Sequence, residues 1–278
     1  MKLIGLRFSI GNGCPSMDPF YGRIIGLTKV SDNTYLIGNG SFIRFQVRDV
    51  DLKKHPPVAA ILSAKLPDRP ALAASLLHMA EAEAKIIGAA DHGDRESVYL
   101  EDPFGYPFEL FAERTIGERG KNGDAVSTPS PAELNVDSLM LTLKGKYKPW
   151  NGLHTDAELG NLTLEVEDLP LMAGFYSKTL GLALMVGNDT DSATLILGQS
   201  GAHIRLITAD QSEEPEQDSR NCHLSRIVLQ VTEAEFAQIQ ERVAVINSSD
   251  KASILLDPSG IEIELRFAAR SLRYHQNW

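Results

Sequence analysis

The sequence predicts an α+β fold assembled from four repeated strand–helix–strands modules, and three observations carry that prediction. First, Gly160 to Leu182 reads as a strand, a capped helix and a stop. Apolar residues alternate with polar ones from Leu162 to Val166, Asp168 precedes Pro170 at the start of a helical run, and Gly181 closes it. Second, the unit recurs: Phe175-Tyr176 and Gly181-Leu182 are echoed by Phe20-Tyr21 and Gly26-Leu27. Third, two matching turns, Asp102-Pro-Phe-Gly105 and Asp257-Pro-Ser-Gly260, are each followed by a glutamate four residues after the glycine, Glu109 and Glu264. Self-similarity at this level marks a repeat architecture.

In chain order, Leu3 to Ile10 alternates with Leu6, Phe8 and Ile10 on one face and Gly5, Arg7 and Ser9 on the other. A short helix is expected between Ser16 and Leu27, then strands over Thr34 to Ile37 and Ser41 to Val47 around a Gly38-Asn39-Gly40 turn. After His55-Pro56-Pro57, Val58 to Leu66 is apolar enough for a largely buried strand, and Pro70 opens a helix from Ala71 to about Ala84 with Leu72, Leu76, Met79 and Ala80 as its buried stripe. Ser97 to Phe111 gives two strands around the first Asp-Pro turn. Residues 115–157, with several glycines and Thr128-Pro-Ser-Pro131, read as a linker holding a weak segment near Leu139 to Leu143. The third module ends on a strand over Gly201 to Ile207. The fourth begins at Arg226 to Val231, passes through the capping-box sequence Thr232-Glu-Ala-Glu235 and finishes on Ser253 to Leu265.

Composition excludes several function classes. The 278 residues, 43% of them hydrophobic, suffice for one large core or two ordinary ones. A net charge of -10, with an acidic cluster at Glu213, Glu214 and Glu216, argues against nucleic acid as a partner. No apolar run approaches the roughly 18 residues of a membrane span and no secretory signal is visible. The two cysteines, Cys14 and Cys222, have no metal-like spacing. The expectation is a cytoplasmic protein with a small-molecule ligand or substrate and no nucleic-acid or membrane partner; self-association is left open.

Beyond these patterns, the runs Leu66-Pro-Asp-Arg69, Ala90-Asp-His-Gly93, Tyr99-Leu-Glu-Asp-Pro103, Glu113-Arg114 and Gly160 to Leu169 give the chain a wider resemblance. It is similar to the vicinal oxygen chelate superfamily (glyoxalase, bleomycin-resistance and extradiol dioxygenase proteins), and most of all to its two-domain catechol-2,3-dioxygenase-like branch. The resemblance implies four βαβββ modules paired into two cup-shaped glyoxalase-like domains. These are expected over residues 1–114 and 158–270, with a linker over 115–157 and a tail over 271–278. It also implies a divalent metal (Fe, Mn or Zn) at the floor of a cup, held by two histidines and a glutamate from first and last strands, and a dioxygenase, lyase or isomerase activity.

The residues depart from that ligand pattern. Asn161 and Arg226 stand where first-strand histidines are expected, Arg205 stands at the end of the third module, and Glu264 is the surviving carboxylate. In the first half Gly5, Arg44, Ile61 and Glu109 hold the corresponding places. Strand parity puts Asn161, Thr163, Glu165, Arg205, Arg226, Gln230, Glu262 and Glu264 inside a cup. A guanidinium cannot lose its proton and would repel a metal ion, so the expectation is an internal cation in the metal's place. Two readings follow: a structural Arg205–Arg226–Glu264 ion-pair network, or a pocket in which an arginine receives a carboxylate or phenolate. The expected ligand-binding residues are Asn161, Arg205, Arg226, Glu264 and His203; if any metal binds, its ligands come from Glu264, His203 and Glu109. His203 shares the parity and the cup face of Arg205, from which it could ligate a metal with Glu262 or Glu264 in a new arrangement. His223, three residues before Arg226, falls on the opposite face of a regular strand unless a bulge intervenes, while His92, His78 and His154 are expected at the surface. Tyr99 and Tyr176 are expected in a core or cup wall.

Overall fold

The first strand of each module sets up the whole architecture. In the computed structural model, which describes residues 1–38, 40–48, 60–115, 131–145, 149–185, 191–198, 202–208, 222–243, 247–248 and 252–267, all four modules form. The first comprises β1 (Lys2–Ile10), a π-helical turn (Asp18–Ile24), β2 (Thr28–Ser31), β3 (Thr34–Ile37) and β4 (Ser41–Val47). The second comprises β5 (Ala60–Leu66), α1 (Arg69–Glu81), β6 (Ile86–Asp91), β7 (Arg95–Glu101) and β8 (Pro107–Glu113). After β9 (Ala132–Glu133) and α2 (Val136–Leu141), the third runs through β10 (Glu158–Val166), α3 (Leu169–Gly174) with a π-helical end (Phe175–Thr179), β11 (Ala183–Met185), β12 (Ser192–Ile196) and β13 (His203–Thr208). The fourth is β14 (Cys222–Val231), α4 (Glu233–Gln240), β15 (Asn247–Ser248), β16 (Ala252–Leu256) and β17 (Glu262–Phe267).

The modules do not pair in sequence order. One sheet runs β15-β16-β17-β14-β1-β4-β3-β2 and joins the first module to the fourth; the other runs β11-β12-β13-β10-β5-β8-β7-β6-β9 and joins the second to the third. In each sheet the two first strands meet antiparallel, β1 with β14 and β10 with β5. A module's first strand offers an edge that any other first strand can complete, so the expected pairing of consecutive modules gives way to this one.

Side chains bind the halves the other way. Tyr21 of the first module donates to Asp102 of the second (2.9 Å), and Tyr176 of the third donates to Asp257 of the fourth (3.0 Å). Each aspartate also closes its own turn by accepting backbone N–H bonds, from Phe104 and Tyr106 in one and from Ser259 and Ile261 in the other. The recurrent Phe-Tyr and Asp-Pro-x-Gly signatures are thus the two ends of one buried contact. Burial first, and then the neighbouring carboxylate, pushes both tyrosines well above the usual phenol range, so they act here as hydrogen-bond donors.

The helices follow local signals closely. Asp68 caps α1 through the Ala71 N–H, Asp168 caps α3 through the Leu171 N–H, and Thr232 and Glu235 complete the capping box of α4. One residue of the expected α1 stripe is instead solvated: Ala80 is exposed, and Ala73 and Ser75 take inner positions; in α3 Leu171 lies on the outer side, while Met172 and Tyr176 of the third module are buried. Leu6, Phe8, Leu162, Leu164, Ile227 and Leu229 join one core shared by both sheets, so the polar sheet faces point away from it. Burying a leucine of this kind contributes about 1.5–3 kcal/mol. No helix among the described residues is long and apolar enough to cross a membrane. Asn39, residues 55–57, 116–130, 213–216 and 271–278, which carried sequence expectations, lie outside the described residues.

Candidate functional site

The polar face of the first–fourth module sheet is built on three adjacent strands that present arginine at the same level. Arg7 of β1 pairs in register with Arg226 of β14 on one side and Arg44 of β4 on the other, and Arg226 pairs with Glu262 of β17. One step along, Gly5 faces Phe42 and Val228 faces Glu264. The Phe42 ring covers Gly5 so closely that a Cβ there would stand 2.4 Å from it. Arg266 in turn lies over the ring, 5.5 Å from its centroid.

Glu264, 4% exposed, is the hub of this cup. Arg226 Nη1 donates to it at 2.6 Å and Arg266 Nε at 2.5 Å, while Arg7 Nη2 stands 3.1 Å away. Arg226 also donates from Nε to Glu262 at 2.6 Å. Burial alone would raise the Glu264 carboxyl, but the hydrogen bonds from Arg226 and Arg266 and the charge of Arg7 outweigh it and hold the group below the usual carboxylate range. Burial pulls Arg7 below the usual arginine range; Glu264 opposes that shift, and Arg226, Arg266 and Arg44 reinforce it. Arg7 Nε is buried without a hydrogen-bond partner. The Arg44 side chain, on an exposed rim position, makes no hydrogen bond or ion pair among the described residues. Three guanidiniums therefore share two carboxylates, and a fourth stands beside them.

The second–third module sheet forms its own polar face. Ser63 of β5 sits in register with Glu109 of β8, which in turn faces Tyr99 of β7. Ser63 Oγ donates to the Asn161 carbonyl (2.9 Å) and accepts the Asn161 N–H (2.5 Å), while Asn161 Oδ1 accepts the His203 N–H at 3.2 Å. Glu109 accepts from Ser97 Oγ (2.6 Å) and Tyr99 Oη (3.1 Å).

The structure therefore divides the expected site. Arg226 and Glu264 come together as expected, but Arg205 lies on β13 in the other sheet, opposite Thr163, so the network forms without it and Arg7 takes its place. His203 is on the sheet of Glu109 and Asn161, away from Glu262 and Glu264; the three expected metal donors Glu264, His203 and Glu109 do not form one site. Asn161 spends its side-chain oxygen on the neighbouring strand. The strand of Arg226 does carry a bulge: the β1–β14 register shifts between Arg7 and Phe8, skipping Ser225, which places His223 opposite Ser9 and on the cup side with Arg226. His78 stacks on Trp150 with centroids 4.4 Å apart rather than standing free in solvent, while His154 is exposed. Sequence reasoning missed Arg7 and Arg266 and undervalued His92, which meets Tyr99. The polar parity of Gly5, Arg7 and Ser9 was the signal that could have found Arg7.

A divalent metal, which the fold family implies, meets a poor donor set. Among the described residues no three His, Cys, Asp or Glu side chains gather as a metal site, and Glu264 already carries three guanidiniums, which cannot be deprotonated.

Two mixed sheets of βαβββ modules, each curled around a polar face with a glutamate on a last strand, define a vicinal oxygen chelate fold of the glyoxalase and dioxygenase kind. Among solved structures, a candidate dioxygenase of Bacillus subtilis subsp. subtilis str. 168 superposes with a TM-score of 0.57 at 17% identity, covering 96% of this chain and 86% of that one. Glyoxalase I from Zea mays gives 0.52 at 14% identity over 96% and 92%. In sequence, 140 residues are 31% identical to catechol-2,3-dioxygenase of Bacillus subtilis (strain 168), a match spanning 50% of this chain and 47% of that protein. No protein-family model matches the chain.

Proposed function

We propose that the chain is a small-molecule-binding protein in which the cup of the first and fourth modules has exchanged the family's metal for an arginine cluster and takes up a small anionic molecule, aromatic carboxylates or phenolates included. The carrying observation is the charge imbalance: Arg7, Arg44, Arg226 and Arg266 face Glu262 and Glu264, with Arg44 uncommitted and Arg7 Nε buried without a partner. An incoming carboxylate would find the exposed Arg44 guanidinium and a net positive cup, with Phe42 as an apolar wall. Arg7, Arg44 and Arg226 are the binding residues of this reading, and Glu264 holds Arg226 in place. Asn161, Arg205 and His203 belong to the other cup and serve no role in it.

The test is calorimetric titration with benzoate. Saturable binding that weakens at least about tenfold in Arg44→Gln supports the reading; identical titrations of the two proteins sink it. A second reading, a metal-dependent extradiol ring-cleaving dioxygenase, rests on the sequence match to catechol-2,3-dioxygenase. Elemental analysis of the purified protein decides for it if about one Fe, Mn or Zn per chain is present and is lost in Glu264→Ala; absence of metal, with no gain of activity on adding Fe(II), decides against it.

A further inference from the structure

The segment that follows the second module carries a surface that neither cup uses. β9 pairs with β6 at Ala90 and Asp91, and α2 lies along α1. Leu134 and Leu139 are buried in the common core, and Asn135 caps α2 by accepting the Ser138 N–H at 2.9 Å. Ser138 Oγ accepts from Arg69 at 3.4 Å, and Arg69 is itself held by the fully buried Glu96 at 2.7 and 3.0 Å. These ties fix α2 as a ledge on the second module.

The outer side of that ledge is apolar where a surface helix is ordinarily polar. Leu141 is 64% exposed and Val136 44%. An open groove runs between the two helices, lined by Leu77 of α1 and by Met140, Leu141 and Leu143, together with Asp137 and Lys144. Bonds from the Leu143 N–H to the Met140 carbonyl and from the Lys144 N–H to the Leu141 carbonyl carry the coil past the end of α2. Asp137, Leu141 and Lys144, at i, i+4 and i+7, therefore fall in one row. An exposed leucine stands midway between opposite charges about 10 Å apart along the axis. Both charged side chains are exposed and make no hydrogen bond or ion pair among the described residues.

Such a row is complementary to itself. Turned about a two-fold axis at Leu141, a second copy sets its Lys144 against Asp137 and its Asp137 against Lys144, with leucine on leucine between them. The row holds one charge of each sign while the whole chain carries -10, so two copies meet there without bringing like charges together at the contact.

We propose that two copies of this chain pair through α2, antiparallel about a two-fold axis, and that this surface is a dimer interface. α1 turns its buried stripe to the core and α2 lies against α1, whereas the polar sheet faces point away from the core, so both cups stay open in the dimer. The pairing holds whether or not either cup takes up benzoate.

Sedimentation equilibrium of the full chain, at concentrations up to about 0.1 mM, tests the interface, and a reversible monomer–dimer equilibrium is expected. Asp137→Lys and Lys144→Asp each put like charges at both ends of the contact, and each should self-associate at least about tenfold more weakly. Leu141→Lys, which charges the centre, should do the same. An equal mixture of the two charge variants should dimerise again, because the mixed pair sets lysine against aspartate at both ends; this recovery also shows that both variants are folded. A parent protein that is monomeric throughout overturns the proposal and leaves the groove to a different partner. A dimer that all three substitutions leave intact places the interface elsewhere and overturns it too, as does a mixture of the charge variants that stays dissociated.

Discussion

Replacing Glu264 with glutamine removes one negative charge from the centre of the arginine cup while keeping its shape. Three guanidiniums lose their shared counter-ion. Removing one partner of a buried ion pair costs about 3–5 kcal/mol, because the remaining charge is left uncompensated. The low end applies here: Arg226 keeps Glu262, and the Arg266 side chain is 36% exposed and can rehydrate. A loss of about 3 kcal/mol in a chain of this size lowers the melting temperature by roughly 6–12 °C. The assay is thermal unfolding at pH 7 of both proteins, with and without benzoate. Benzoate should raise the variant's melting temperature more than the parent's, since it restores a negative charge to the cluster. The pH dependence has a definite sign. Glu264 lies below its unfolded-state range, so its stabilisation is complete above the ordinary carboxylate pKa and is lost as pH falls through its lower folded value. The acid limb of the stability curve should therefore be shallower in Glu264→Gln. A melting shift under about 2 °C with an unchanged acid limb would refute the claim that Glu264 is the electrostatic hub.

Tyr21→Phe and Tyr176→Phe should each cost about 1–3 kcal/mol in urea unfolding, because each strands one oxygen of a buried aspartate; a near-neutral result at either would show that the contact is dispensable. Gly160→Ala should destabilise by roughly 1–3 kcal/mol through the 2.6 Å approaches to Phe111 and Ser63 Oγ, and pairing it with Phe111→Ala should recover part of that loss. Gly5→Ala should behave likewise against Phe42, read by the same melts.

Much of the fold is legible because its signals are local. The caps Asp68, Asp168 and Thr232, the strand parity of Leu162 to Val166 and the two Asp-Pro-x-Gly turns are each settled by residues a few positions apart. Which module lies beside which is not such a property. Each first strand turns apolar side chains to the core, and nothing within a module names its partner. That gap explains the misplaced site residues: Arg205 and His203 have the right parity for a cup but the wrong sheet, and Arg7 was read as one polar residue of an opening strand rather than as the neighbour of Arg226. The same holds at shorter range. Skipping Ser225 in the register turns His223 to the cup, and His92 meets Tyr99 only because β6 and β7 form a hairpin.

The contacts among modules also make a closed circuit. Sheet pairing ties the first to the fourth and the second to the third, and the tyrosine–aspartate contacts tie the first to the second and the third to the fourth. Every module is thus held by two others, and none is terminal. The two halves of the polypeptide are not separable bodies: a break in the chain between residues 115 and 157 would leave all four ties in place, so the nicked protein should stay assembled and unfold in one transition.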